Sequence, residues 1–192
     1  ANNSKDSSCA ISRKHQFIFV HILKNAGSYT KAWLKEALCG DTICDPCVLS
    51  FEQCSVAIEQ NPQYFRWSWL RHPYDRAMSI YAAAKASGRE NLMADMTFQD
   101  FWLAGVSRVW NLTLLSPHHV LPQANFISDE HQCLTVDFVG SLERSQEDMG
   151  RLVQLLGVDD LKAHYASSGF RKPKKGNVFG SVAAKKIGRS AR

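Results

Sequence analysis

The chain has 192 residues, of which 45% are hydrophobic, with 23 Lys or Arg against 18 Asp or Glu. That suffices for one α/β domain with a single core, and no apolar run reaches the length of a membrane span. The formal charge of +5 is uneven: eight basic residues and no acid lie from Arg171 onward, so the body before it holds 15 basic and 18 acidic residues, about −3, which excludes a nucleic-acid-binding surface there.

In chain order, residues 1–14 are polar and read as a flexible segment. The chain begins without an initiator Met or a leader, so a trimmed piece of a longer product is expected, with any membrane anchor in the missing N-terminal part. Residues 17–22 form a β-branched and aromatic run, predicted to be a buried parallel strand. The run stops at Lys24-Asn25-Ala26-Gly27, and a helix is predicted over 28–38. Strand, tight loop and helix in that order present backbone N–H groups at a helix N-terminus, a site for an anion. Lys24 adds a charge, and Ser28 and Thr30 add hydroxyls. The pattern differs from G-x-x-x-x-G-K-[ST], since Lys24 precedes the glycine. The alternative is a plain connecting turn with a solvated lysine.

Four of the six cysteines crowd together at Cys39, Cys44, Cys47 and Cys54; the others are Cys9 and Cys133. Disulfides in an oxidising lumen are the favoured reading, ahead of free thiols and of zinc, which lacks a second C-x-x-C. No metal site is expected. Two N-x-[ST] sequons, at Asn2 and Asn111, fit the same lumen.

Ser50-Phe51-Glu52-Gln53 has a capping-box pattern and predicts the start of a short helix ending near 61–62. An aromatic strand is expected over 64–70. Arg71-His72-Pro73 turns into a helix running to about 86, with Pro73 in its first turn. After a polar linker over 88–96, Thr97 caps another short helix. Residues 114–125 read as loop and carry His118 and His119. A third strand is predicted over 136–140, a helix capped by Ser145 follows, and a last helix covers 159–166. Strands alternating with helices argue for a mainly parallel central sheet flanked by helices. Both strand-to-helix junctions, 23–30 and 71–79, then lie at its carboxyl edge, where ligands bind. Arg71 and Ser79 would hold a second phosphate, so the ligand has two anionic ends.

The residues of these junctions resemble the sulfotransferase superfamily. His21-Ile22-Leu23-Lys24-Asn25-Ala26-Gly27-Ser28 is similar to its 5′-phosphosulfate loop, H-[IV]-P-K-x-x-G-T. Trp69 to Tyr81 is similar to its 3′-phosphate motif, V-R-[DHE]-P-[YF]-[ED]-R-x-x-S-x-Y. Asp137 to Asp148 is similar to the D-F-[IV]-G-x-x-E-x-[LS]-x-x-D segment of the Golgi carbohydrate branch. The resemblance implies a P-loop-like three-layer α/β fold over 15–170, followed by a basic tail over 171–192. It implies the donor 3′-phosphoadenosine 5′-phosphosulfate (PAPS) and an acceptor hydroxyl or amine, expected on a glycan in the Golgi lumen. By position, Lys24 would contact the oxygen bridging phosphate and sulfonate. The amides of Asn25, Ala26, Gly27, Ser28 and Tyr29, with the Ser28 hydroxyl, would hold the 5′ end, and Arg71 and Ser79 the 3′-phosphate. Leu23 stands in place of proline and is expected to loosen the loop, Ser28 replaces threonine, and Ser141 stands where many members have Arg or Lys. Residues 169–176 match the cytosolic branch's R-K-G loop poorly.

A base is needed to take the acceptor's proton. His119 fits an H-x-x-P-Q segment ending at Gln123, and His118 falls one residue early; both are candidates, with His21 as the further one. Asp75, Glu143, Arg76 and Tyr81 are expected to brace the structure. Trp33, Trp67 and Trp69 are expected in the core, and Trp102 and Trp110 either in the core or stacked on a sugar. The alternatives are a small-molecule kinase, disfavoured because Arg71 occupies the strand end where a Mg²⁺ carboxylate is needed, and a non-catalytic anion- or carbohydrate-binding module, which loss of Lys24 would have favoured, whereas Lys24 is present.

Overall fold

The computed structural model describes residues 8–86, 96–105 and 117–171. Trp110, both sequons, the 88–95 linker and the tail from 172 lie outside the described residues. The strands are β1 (Ser8–Ser12), β2 (Phe17–Val20), β3 (Ser50–Gln53), β4 (Phe65–Leu70) and β5 (Phe138–Ser141). The helices are α1 (Gly27–Cys39), α2 (Cys54–Gln60), α3 (Pro73–Ala86), α4 (Ser145–Leu156) and α5 (Asp159–Ser168). A short helix at Phe98–Asp100, closed by a Thr97–Asp100 capping box, continues as a π-helical turn, Phe101–Gly105.

The five strands form one sheet in the order β3-β1-β2-β4-β5. β2, β4 and β5 are parallel, whereas β1 runs antiparallel to both β2 and β3. The expected mainly parallel sheet is therefore corrected to a mixed one. The cause is local: only four residues separate β1 from β2, which permits a hairpin and no crossover. The reading of 1–14 as flexible also fails at Ser8–Ser12, where every residue from Cys9 to Ser12 is buried between two partner strands. Ser50–Gln53 is strand, not helix, and the helix begins at Cys54. The cap near Ser145 is likewise displaced: the Ser141 hydroxyl accepts from the Glu143 amide, and Ser145 is already helical.

Alternation along β2 sends Phe17 and Phe19 to one face and Ile18 and Val20 to the other. The first face packs Trp67 and Trp69 of β4 under Trp33 and Leu34 of α1, Met149, Leu152 and Val153 of α4, and Leu161 of α5. The second packs Cys9 and Ile11 against Ala57 of α2, with Ile127 and Val136. The sheet is thus buried on both sides between helices. Cys9 pairs with Cys54, tying β1 to α2, and Cys39 pairs with Cys44; Cys47 and Cys133 are free, exposed thiols. No helix among the described residues is long and apolar enough to cross a membrane.

Candidate functional site

The β2–α1 junction is a strained turn. Lys24 (φ 68°) and Ala26 (φ 59°) both take the left-handed conformation that non-glycine residues seldom adopt. Ala26 is the N-cap and offers no side-chain cap, and the first turn of α1 has no acidic residue. The amide of Thr30 is the first to bond back into the helix, at 2.9 Å to the Ala26 carbonyl, so the preceding amides point out of the turn without intrahelical acceptors. The amide of Asn25, expected among the anion donors, instead donates to the Ile22 carbonyl at 3.1 Å. That leaves 26–29 as the open set, with the exposed Ser28 hydroxyl beside it.

Leu23, in the place of proline, packs into the protein at this turn. Its side chain is buried and its carbonyl accepts from Arg76 Nε at 3.1 Å, while the Lys24 carbonyl accepts from Arg71 Nη1 at 3.3 Å. Arg76 is buried on α3 and donates further to the carbonyls of Leu121 (2.8 Å) and His119 (3.0 Å). One guanidinium therefore holds the first loop and the histidine segment against α3.

A second side chain joins the junctions and had no role assigned from sequence. Gln123 Oε1 accepts from the Arg71 amide at 3.1 Å and from Asn25 Nδ2 at 2.6 Å, and its Nε2 donates to the Arg71 carbonyl at 2.8 Å. Asn25 Nδ2 also reaches the Trp69 carbonyl at 2.7 Å. The visible signal was the H-x-x-P-Q match, which marks the residue but not its contacts.

The acids of the Asp137 to Asp148 segment hold backbone amides. Asp137 accepts from the Arg66 amide (2.7 Å), buried Asp148 from the Ser141 amide (2.8 Å), and Glu143 from the His72 amide (2.8 Å), which supports the turn after β4. Gly140 is required because a Cβ there would meet the Trp69 ring at 2.1 Å. Tyr29 is half-buried on Phe170, and its hydroxyl donates to the Arg171 carbonyl, so its side chain is engaged away from the turn.

Positive groups depress one another's pKa at the first junction. Burial is the main cause holding the Lys24 ammonium below its ordinary pKa, with the Arg71 charge adding to it. His21 is depressed to about 4, first by burial and then by Lys31, His119 and Lys24. His21, Lys24, His119 and Arg71 are thereby gathered in one place. No carboxylate pairs with Lys24, Arg71 or Arg76 among the described residues. Ser79 lies half-buried on α3, about 9 Å along the axis from Pro73, and its hydroxyl has no partner among the described residues. His118 and His119 end a 3₁₀ turn, Pro117–His119. Alongside, a cleft of about 360 Å³ is walled by Pro73, Ala77 and Ile80 of α3, by Trp102, and by Val120 and Pro122. Trp33, Trp67 and Trp69 are core. Among the described residues no three of His, Cys, Asp and Glu converge as a metal would need.

Half-buried Lys24 and Arg71, with no carboxylate partner among the described residues, beside helix amides left open among those residues, are suited to an anionic ligand. A family model described as "Sulfotransferase family" matches residues 7–190. No curated protein and no solved structure matches the chain.

Proposed function

We propose, from the premise that the chain belongs to the sulfotransferase family, that it moves a sulfonyl group from PAPS to a hydroxyl or amine of a carbohydrate acceptor in the Golgi lumen. The observation that carries the donor assignment is the pair of cations at two adjacent junctions, Lys24 at the first and Arg71 at the second, neither of which has a carboxylate partner among the described residues.

When bound, the donor supplies an activated sulfonyl group, whose sulfur is attacked by the acceptor oxygen or nitrogen as the bond to the 5′-phosphate oxygen breaks. The amides of Ala26–Tyr29 and the Ser28 hydroxyl hold the 5′ end. Lys24, half-buried, would sit where charge builds on the leaving phosphate; a charge fixed in place before reaction lowers the barrier more than a solvated one. Arg71 and Ser79 hold the 3′-phosphate. His119 takes the acceptor proton, and His118, one residue earlier in the same turn, is the other candidate. His21 is poorly suited to that work, since a group depressed to about 4 is a weak base at neutral pH.

The carbohydrate branch is supported by the Asp137 to Asp148 segment and the H-x-x-P-Q segment. Trp102 on the cleft wall is suited to stacking on the apolar face of a sugar ring. The luminal location is supported by the two disulfide pairs. The test is incubation with sulfur-labelled donor and a panel of glycans, phenols and amines. Label is expected on a glycan with the wild type and not with Lys24→Ala. Label only on phenols would overturn the acceptor class, and label transferred equally by Lys24→Ala would overturn the role of Lys24.

A further inference from the structure

Resting on that donor reading, we propose that Gln123 is a positioning residue that fixes the distance between the two anion junctions, and so selects ligands whose two charged ends have one spacing. The two junctions lie on different strands, β2 and β4, and on different helices, α1 and α3. Main-chain pairing of β2 with β4 ends at Val20–Ser68, before either junction begins. Beyond that point, side chains must carry the register.

Gln123 does this with one carboxamide. It accepts from the Arg71 amide and donates to the Arg71 carbonyl, the pair of bonds a neighbouring strand would make, and this holds the backbone from which the guanidinium projects. The same oxygen accepts from Asn25 Nδ2 at 2.6 Å. Asn25 lies between Lys24 and Ala26, the two left-handed residues that shape the first junction. Shifting the Gln123 amide would therefore move both junctions relative to one another. A carboxamide carries a donor and an acceptor on one planar group; a carboxylate has no donor here and an ammonium no acceptor. Gln123 is itself held, since Pro122 precedes it in an extended conformation and Arg76 binds the carbonyls of His119 and Leu121 just upstream.

A spacing role has a signature that a merely stabilising one lacks. A ligand with two anionic ends needs both junctions in register, whereas a ligand with one end does not. Adenosine 3′,5′-bisphosphate, adenosine 5′-monophosphate and adenosine 3′-monophosphate are titrated by calorimetry into the wild type, Gln123→Ala and the volume-conserving Gln123→Met, with thermal unfolding recorded on each. In both variants the bisphosphate is expected to lose about tenfold or more in affinity, and each monophosphate less than about threefold. Equal losses for all three ligands, no loss for the bisphosphate, or failure of both variants to fold would overturn the positioning role. A folded wild type that binds none of the three would overturn the donor reading itself, which keeps the two failures distinct.

Discussion

The imidazole of His21 occupies the space that a side chain on Gly27 would need: a Cβ built there falls 1.7 Å from Cδ2 and 1.9 Å from Nε2. The glycine of the first motif is thus fixed by a histidine six residues earlier, and not by its own backbone angle. Gly27→Ala must drive the ring out of a buried slot, at a cost on the order of 1–3 kcal/mol. Thermal unfolding is expected at a lower temperature, with weaker anion binding at the disturbed turn. An unchanged midpoint would show that His21 has somewhere else to go.

His21 also predicts a pH dependence of stability. Its folded pKa of about 4 lies below the ordinary histidine value, so between these values the unfolded chain binds more protons than the folded one. Stability therefore rises with pH across roughly 4 to 6.5, and falls as pH drops through that window by at most about 3 kcal/mol. His15 is also depressed and pulls the same way. The informative quantity is therefore the difference between the wild type and His21→Gln in urea titrations from pH 4 to 7. His21→Gln is expected to flatten the slope, and an equal slope in both would contradict the assignment.

The placement of most candidate residues on the fold was legible because they lie on short contiguous motifs. The turn at 24–27, Arg71 at the end of β4, Pro73 in the first turn of α3 and the three buried tryptophans all follow from local pattern. What escaped depends on distant partners. β1 has one β-branched residue, Ile11, and is a strand only because β2 and β3 flank it. Ser50–Gln53 carries a helix-start pattern that pairing with β1 overrides. The contacts of Gln123 join segments 52 and 98 residues apart in sequence, a convergence with no local trace.

Arg76 holds three carbonyls from two loops. Arg76→Ala removes this donor from one buried and two part-buried bonds and should cost about 3 kcal/mol or more. Arg76→Lys, a single point donor, is expected to recover only part of it. Chemical denaturation measures both, and a loss below about 1 kcal/mol for the alanine variant would mean that water replaces the guanidinium.

The two disulfides should differ in weight. Cys9–Cys54 spans 45 residues of sequence and Cys39–Cys44 only 5. Loop-closure entropy then gives about 4 kcal/mol for the first and about 2 kcal/mol for the second. Replacing each pair by alanine and comparing unfolding midpoints checks the order, and the reverse order would show that the denatured chain is already constrained around Cys9.

In the proposed donor site, Lys24 and the 26–29 amides form one end, and Arg71 with Ser79 the other. The most direct test of that arrangement is calorimetric titration with adenosine 3′,5′-bisphosphate of the folded wild type and of the Arg71→Ala, Ser79→Ala double variant. Saturable one-site binding by the wild type, weakened about 100-fold or more in the double variant, is the predicted result. No binding by the wild type, or equal binding by the two proteins, would contradict it.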